Sequence, residues 1–126
     1  MRELLMVAAG GAAGSAIRYL ISVSMPVFAG KAFFFTGTFL VNVSGCFLIG
    51  FLVIWFESRE ILSTSLRLFA LVGFLGGYTT FSTFGLESHE FLNNSIPDFI
   101  LYTGVQVGIG LIAVWAGFKT ASYIFS

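Results

Sequence analysis

Charge is missing from most of this chain, and the places where it is missing restrict what the chain can fold into. No acidic or basic residue occurs in the runs 32–56, 68–86 and 99–118, and a fourth run, 4–30, is interrupted only by Arg18. Each run is roughly 20 residues or longer, which is what a helix needs to cross about 30 Å of hydrocarbon. The spacing predicts an all-α membrane protein of four transmembrane helices, with spans at about 4–25, 33–56, 66–92 and 99–121 forming a single four-span domain. Composition agrees: 57 % of the residues are hydrophobic, 10 % are charged and the mean hydropathy is +0.96, far from a soluble domain. The formal net charge is zero, so neither a basic nucleic-acid surface nor an acidic tail is expected. Residues 1–16 superficially match a secretory signal peptide, but the apolar pattern resumes directly after Arg18, and a first transmembrane helix accounts for more of it.

The same inventory removes most enzyme chemistry. One cysteine, Cys46, and one histidine, His89, make neither an internal disulfide nor a zinc site of the usual type. No Ser-His-acid set falls at a shared depth, and no phosphate-cradling or dinucleotide fingerprint has its required strand-to-helix context. The chain is not expected to be an enzyme.

One stretch does not read as membrane filler: Gly73-Phe-Leu-Gly-Gly-Tyr-Thr-Thr-Phe-Ser-Thr-Phe84. Gly76 and Gly77 propagate a helix poorly, and the β-branched pair Thr79-Thr80 weakens it further, so the third helix is expected to break near Gly76–Thr80. Carbonyls freed inside a bilayer need protein, water or a cation. Beyond the break, Phe81 and Phe84 share a helical face with Glu87, while Ser82 and Thr83 supply hydroxyls. Glu87 reads as a vestibule residue; His89 and Glu90 read as a solvated helix end.

Other positions extend a polar track. Thr38 and Asn42 lie four apart on the second span, and Tyr102 and Gln106 four apart on the fourth. Asn42 is either helix-pairing glue or a donor lining a path, and Tyr102 either an interfacial belt residue or part of the track. Arg18 either snorkels to headgroups or faces protein. Gly10 and Gly14 form a small-xxx-small pair for close packing of the first span, and Gly104, Gly108 and Gly110 are expected to serve the fourth. Met25 to Lys31, with Pro26 and Gly30, reads as an exposed connection before the aromatic run Phe33-Phe34-Phe35; 57–67 reads as an aqueous loop, and Asn93 to Pro97 as a turn. Ring edges, hydroxyls and amide N–H groups together suit a small anion, because they replace part of its hydration without trapping it.

The Gly73–Phe84 stretch, with Gly37-Thr-Phe-Leu-Val-Asn42 and the Gly/Ala-rich run ending in Arg18, resembles the CrcB/Fluc family of fluoride channels, and the likeness covers all four spans. The resemblance implies small four-helix subunits paired as an antiparallel, dual-topology homodimer with two fluoride pores, exporting fluoride from the bacterial cytoplasm across the inner membrane without ATP. It also implies a structural sodium ion (Na+) on the dimer axis, held by the main-chain carbonyls of Gly76 and Thr79 from each subunit. Phe81 and Phe84 match the pore phenylalanines, Asn42 the pore asparagine and Glu87 the acidic residue after the motif. Arg18 matches the first-helix arginine, whose implied part is to draw anions toward a vestibule and anchor the helix.

Two features depart from that pattern. Where the family carries serine and threonine spaced by four on the last helix, this chain has Gln106, Gly110 and Val114, so hydroxyls are depleted there. Arg2, Arg59, Arg67 and Lys119 on the terminus side outweigh Lys31 opposite, which favours one orientation with cytoplasmic termini and keeps open a heterodimer with an oppositely inserted paralogue. The rival functions are a non-conducting membrane scaffold and a small proton-coupled drug antiporter, the latter requiring an intramembrane carboxylate.

Overall fold

The structure, a computed structural model, describes residues 1–29, 36–59 and 63–125. Helix α1 spans Arg2–Ala29. The connection expected from Met25 onward is therefore corrected: the helix runs through Pro26, which lies in its last turn, where the missing N–H removes one backbone bond and no further turn has to follow. Gly30, Lys31 and Phe33-Phe34-Phe35 lie outside the described residues, as does Glu60. Helix α2 is Gly37–Ser58, started by Thr36, whose hydroxyl accepts the Phe39 N–H at 3.1 Å, the usual way to satisfy an orphan donor at a helix start.

The third span, Thr64–Asn94, is built in two pieces. Helix α3, residues 64–78, is capped by Ser63, widens into a π-helical segment at Leu68–Phe74 and closes with an α turn at Leu75–Tyr78. Helix α4 is Phe81–Asn94 and helix α5 is Ile96–Phe125. The turn expected over 93–97 contracts to Ser95 alone, extended at φ −162° and ψ 119°. Its carbonyl accepts the Phe99 N–H at 3.0 Å and its hydroxyl the Asp98 N–H at 3.4 Å. Pro97 sits in the first turn of α5, where no intrahelical donor is needed.

Among the described residues four helical spans are thus long and apolar enough to cross a membrane: Arg2–Met25, Gly37–Ser58, Thr64–Asn94 and Ile96–Phe125. Among the described residues there is no strand. The spans outrun the expected 4–25, 66–92 and 99–121 because the helices continue into their polar ends. The start of the second, 33–35, lies outside the described residues.

Packing falls into two close pairs, α1 with α3 and α2 with α5. In the first, Gly10 and Gly14 of α1 cross Gly73 and Gly77 of α3 backbone to backbone: a methyl group on Gly73 would stand 2.5 Å from the Val7 carbonyl oxygen, and one on Gly14 would collide with that of Phe74. In the second pair, Gly50 and Gly117 play the same part against Val114 and Phe47. Without a hydrophobic force between helices in lipid, such close contact is a main source of attraction. Gly104 and Gly108, expected to pack, face open space within the chain, and Gly110 only faces the Cys46 sulfur. A core of Val41, Leu75 and Tyr78 joins the two pairs. Outside it, large apolar side chains such as Leu111, Ile112 and Trp115 are exposed, as a lipid-facing surface requires.

Candidate functional site at the helix break

The break lies between Tyr78 and Phe81 and is made by Thr79 (φ −86°, ψ 159°) and Thr80 (φ −148°, ψ 121°), both extended. Gly76 and Gly77 remain helical. The sequence placed the break in the right segment, and it is the threonines that carry it. Thr80 is suited to the task because its hydroxyl accepts the Thr83 N–H at 3.2 Å and so starts α4.

Breaking a helix in a membrane exposes backbone groups, and distant side chains collect several of them. Arg18 donates its Nε–H to the Gly77 carbonyl at 2.9 Å, joined by the Ser15 hydroxyl at 3.4 Å. Asn42 binds Thr80 twice, its amide donating to the Thr80 carbonyl at 2.9 Å and its oxygen accepting the Thr80 N–H at 2.8 Å. The Leu75 carbonyl takes both the N–H and the hydroxyl of Thr79, at 3.0 and 2.9 Å. Among the described residues no hydrogen bond reaches the carbonyls of Gly76, Tyr78 or Thr79.

Beside the break lies a cavity of about 490 Å³. Its polar wall is Asn42, Thr79, Thr80 and Gln106, its aromatic wall Phe81 and Phe84, and the rest is aliphatic side chains with Cys46 and three glycines. The two rings are 5.6 Å apart between centroids and tilted by 57°. Phe81 is 82 % exposed, whereas Phe84 is buried. Phe84 leads on to Tyr102 at 5.9 Å, and Tyr102 to Phe91 at 4.7 Å.

At the end of that ladder stands Glu87. Its carboxylate accepts hydroxyls from Thr38 at 2.6 Å, from Thr36 at 3.3 Å and from Tyr102. One carboxylate thereby ties α2, α4 and α5 together, with charge-assisted bonds of the stronger kind.

With this geometry in place, comparison with known proteins is informative. The family model described as "CrcB-like protein, Camphor Resistance (CrcB)" matches residues 5–118. The chain belongs to the CrcB family. A relative from Rhizobium meliloti (strain 1021), named "Fluoride-specific ion channel FluC", is 43 % identical over 118 residues, covering 93 % of this chain and 94 % of its own. A Methanopyrus kandleri protein of the same name is 44 % identical over 126 residues, 99 % of this chain and 93 % of its own, and one from Hydrogenovibrio crunogenus is 40 % identical over 125 residues, 98 % and 94 %. All three are named as ion channels, not enzymes.

Within this CrcB chain the expected site residues separate into four groups. Asn42, Phe81, Phe84 and Gln106 do converge on the cavity, with Gly76 and Thr79 at its side. Thr38, Tyr102 and Glu87 form the carboxylate cluster instead, and the single protons of the two hydroxyls are committed to Glu87. Tyr102 is 1 % exposed, which excludes the interfacial belt; His89 and Glu90 are exposed as expected. Ser82 and Thr83 do not line the cavity: both gather round the Thr80 hydroxyl at 3.2 Å, where α4 begins. Arg18 does not line the cavity and spends its Nε–H on the chain itself, tying α1 to α3. Sequence reasoning missed Thr36 and Ser15. Thr36 was legible as a capping threonine two residues before Thr38; Ser15 had only its place directly after the Gly10–Gly14 stretch.

Proposed function

We propose that this chain is a passive, fluoride-selective channel that lets fluoride leave the bacterial cytoplasm across the inner membrane. The observation that carries this reading is the cavity at the helix break, which Asn42 and Gln106 line together with Phe81 and Phe84. One of the two amide protons of Asn42 is engaged by Thr80, which leaves the other for an anion. Ring edges are positive and contact a small anion weakly, so fluoride exchanges hydration for several modest donors and leaves again. The membrane potential, negative inside, drives the anion outward. The names of the CrcB relatives support the choice of fluoride.

The same reading includes a second copy of the chain. Phe81 is 82 % exposed and the space before Gly76 is open, and an antiparallel partner would cover this face. The charge asymmetry keeps an oppositely inserted paralogue as the alternative partner. Among the described residues the carbonyls of Gly76 and Thr79 have no hydrogen-bond partner, and they are hard oxygen donors. They fit a sodium ion, completed by the same pair from the partner. Bound there, sodium supplies positive charge that gathers carbonyl dipoles across the interface; it is structural and not transported.

The cavity, where among the described residues the Gln106 amide and one Asn42 amide proton are unengaged, favours the channel over a packing scaffold, and an antiporter would need a carboxylate in the cavity, whereas Glu87 lies off its wall. Replacing Phe81 by isoleucine, which keeps bulk and removes the ring, tests the aromatic path. Fluoride efflux from liposomes should fall while the oligomer persists on size exclusion. Unchanged efflux removes the ring edge from the mechanism.

A further inference from the structure

Tyr78, Thr79 and Thr80 carry the chain out of α3 and through the break, and α2 meets each of them at a different residue. The Ser44 hydroxyl donates to the Leu40 carbonyl at 2.6 Å, so in its 2.8 Å contact with Tyr78 the tyrosine O–H is the donor. Asn42 grips Thr80 at both its carbonyl and its N–H. Between these two ties, Thr79 meets Gly45. A methyl group on Gly45 would collide with Thr79 Cγ2 and stand 3.5 Å from the Tyr78 ring. Gly45 is buried, and both it and Thr79 line the cavity.

Thr79 has no free way of turning aside from such a methyl. Its hydroxyl donates to the Leu75 carbonyl at 2.9 Å, and a β-branched side chain offers only staggered alternatives. One alternative rotamer puts Oγ1 into the crowded place. The other turns the β-hydrogen toward Gly45, but it sets Cγ2 against the Leu75 carbonyl and leaves the hydroxyl unbound. The displacement therefore passes to the backbone. With Tyr78 and Thr80 fastened on either side, it falls on the Thr79 peptide, whose carbonyl has no hydrogen-bond partner among the described residues. We infer that Gly45 is a positioning residue of the break: by lacking a side chain it seats the Thr79 methyl, and so sets the direction of the Thr79 carbonyl before an ion or a second copy arrives. A donor held in this way by a packed helix is preorganised for binding. The inference rests on the reading of Gly76 and Thr79 as sodium ligands, and it adds that α2 aims one of them.

Sodium dependence separates positioning from packing. Thermal unfolding of the full chain is followed in detergent as sodium chloride replaces N-methylglucamine chloride at constant ionic strength, and the sodium concentration at which the unfolding temperature starts to climb reports the dissociation constant. Gly45→Ala should raise that concentration about tenfold. Gly50→Ala, which crowds the Val114 carbonyl from the same helix, should lower the unfolding temperature without moving the sodium concentration. Adding Thr79→Ser to Gly45→Ala removes Cγ2 while keeping the hydroxyl and the main-chain carbonyl, and should bring the sodium concentration back toward that of the native chain. A Gly45→Ala protein with native sodium dependence overturns the inference. So does a double variant that fails to fold or still needs the excess of sodium, and this holds even if Gly45→Ala alone does not fold. A native chain indifferent to sodium overturns the sodium reading itself.

Discussion

Asn42 and Thr80 are joined by two opposed hydrogen bonds, amide to carbonyl at 2.9 Å and N–H to amide oxygen at 2.8 Å. This pair does for the broken third span what one further backbone rung would have done. Asn42 also lines the cavity, and on the channel reading its second amide proton, not used by Thr80, is the one that serves the path.

Asn42→Ala should remove both bonds and lower stability by about 2 kcal/mol, allowing for the modest worth of polar contacts in membranes. Asn42→Asp keeps the acceptor for the Thr80 N–H but sets a carboxylate oxygen against the Thr80 carbonyl and a negative charge beside the cavity. It should abolish fluoride flux. Unfolding in detergent and efflux from liposomes read the two effects separately; an alanine variant of native stability would show that the pair bears no load.

Much of this was legible in the sequence, and the limits have physical causes. Four spans followed from the neutral runs because the bilayer fixes helix length, and Gly10 with Gly14 announced a close contact. Their partners Gly73 and Gly77 sit in the motif read as a break; nothing local distinguishes a glycine that frees the backbone from one that lets another helix approach. The grip of Asn42 on Thr80 and that of Arg18 on Gly77 join residues far apart in the chain, and helical spacing is blind to that. Thr38 and Tyr102 were rightly singled out as polar residues needing a reason, but the reason is Glu87.

The Glu87 cluster should behave as a unit. Glu87→Gln replaces one oxygen by a donor that confronts Thr36 and Tyr102, and should destabilise by about 2 kcal/mol; Tyr102→Phe should lose about 1 kcal/mol. In the Glu87→Gln background the tyrosine change should lose most of its effect, since its acceptor is already gone. Strictly additive effects in thermal unfolding would mean that the three hydroxyls do not act through the carboxylate.

The carbonyls of Gly76 and Thr79 give an ion test. If sodium binds only the assembled folded state, it stabilises that state by about 2.7 kcal/mol at 100 times its dissociation constant. The unfolding temperature should rise with sodium chloride and not with N-methylglucamine chloride at equal ionic strength. Equal effects of the two salts would dismiss the sodium site.

The most direct measurement of function is efflux by the native chain alone. The purified protein is placed in liposomes loaded with potassium fluoride or potassium chloride, valinomycin carries the balancing potassium, and ion-selective electrodes follow each anion. Rapid release of fluoride with chloride retained is the expected result and would establish that one chain suffices. Retention of both anions by demonstrably folded protein, or equal release of both, would contradict a self-sufficient fluoride-selective channel.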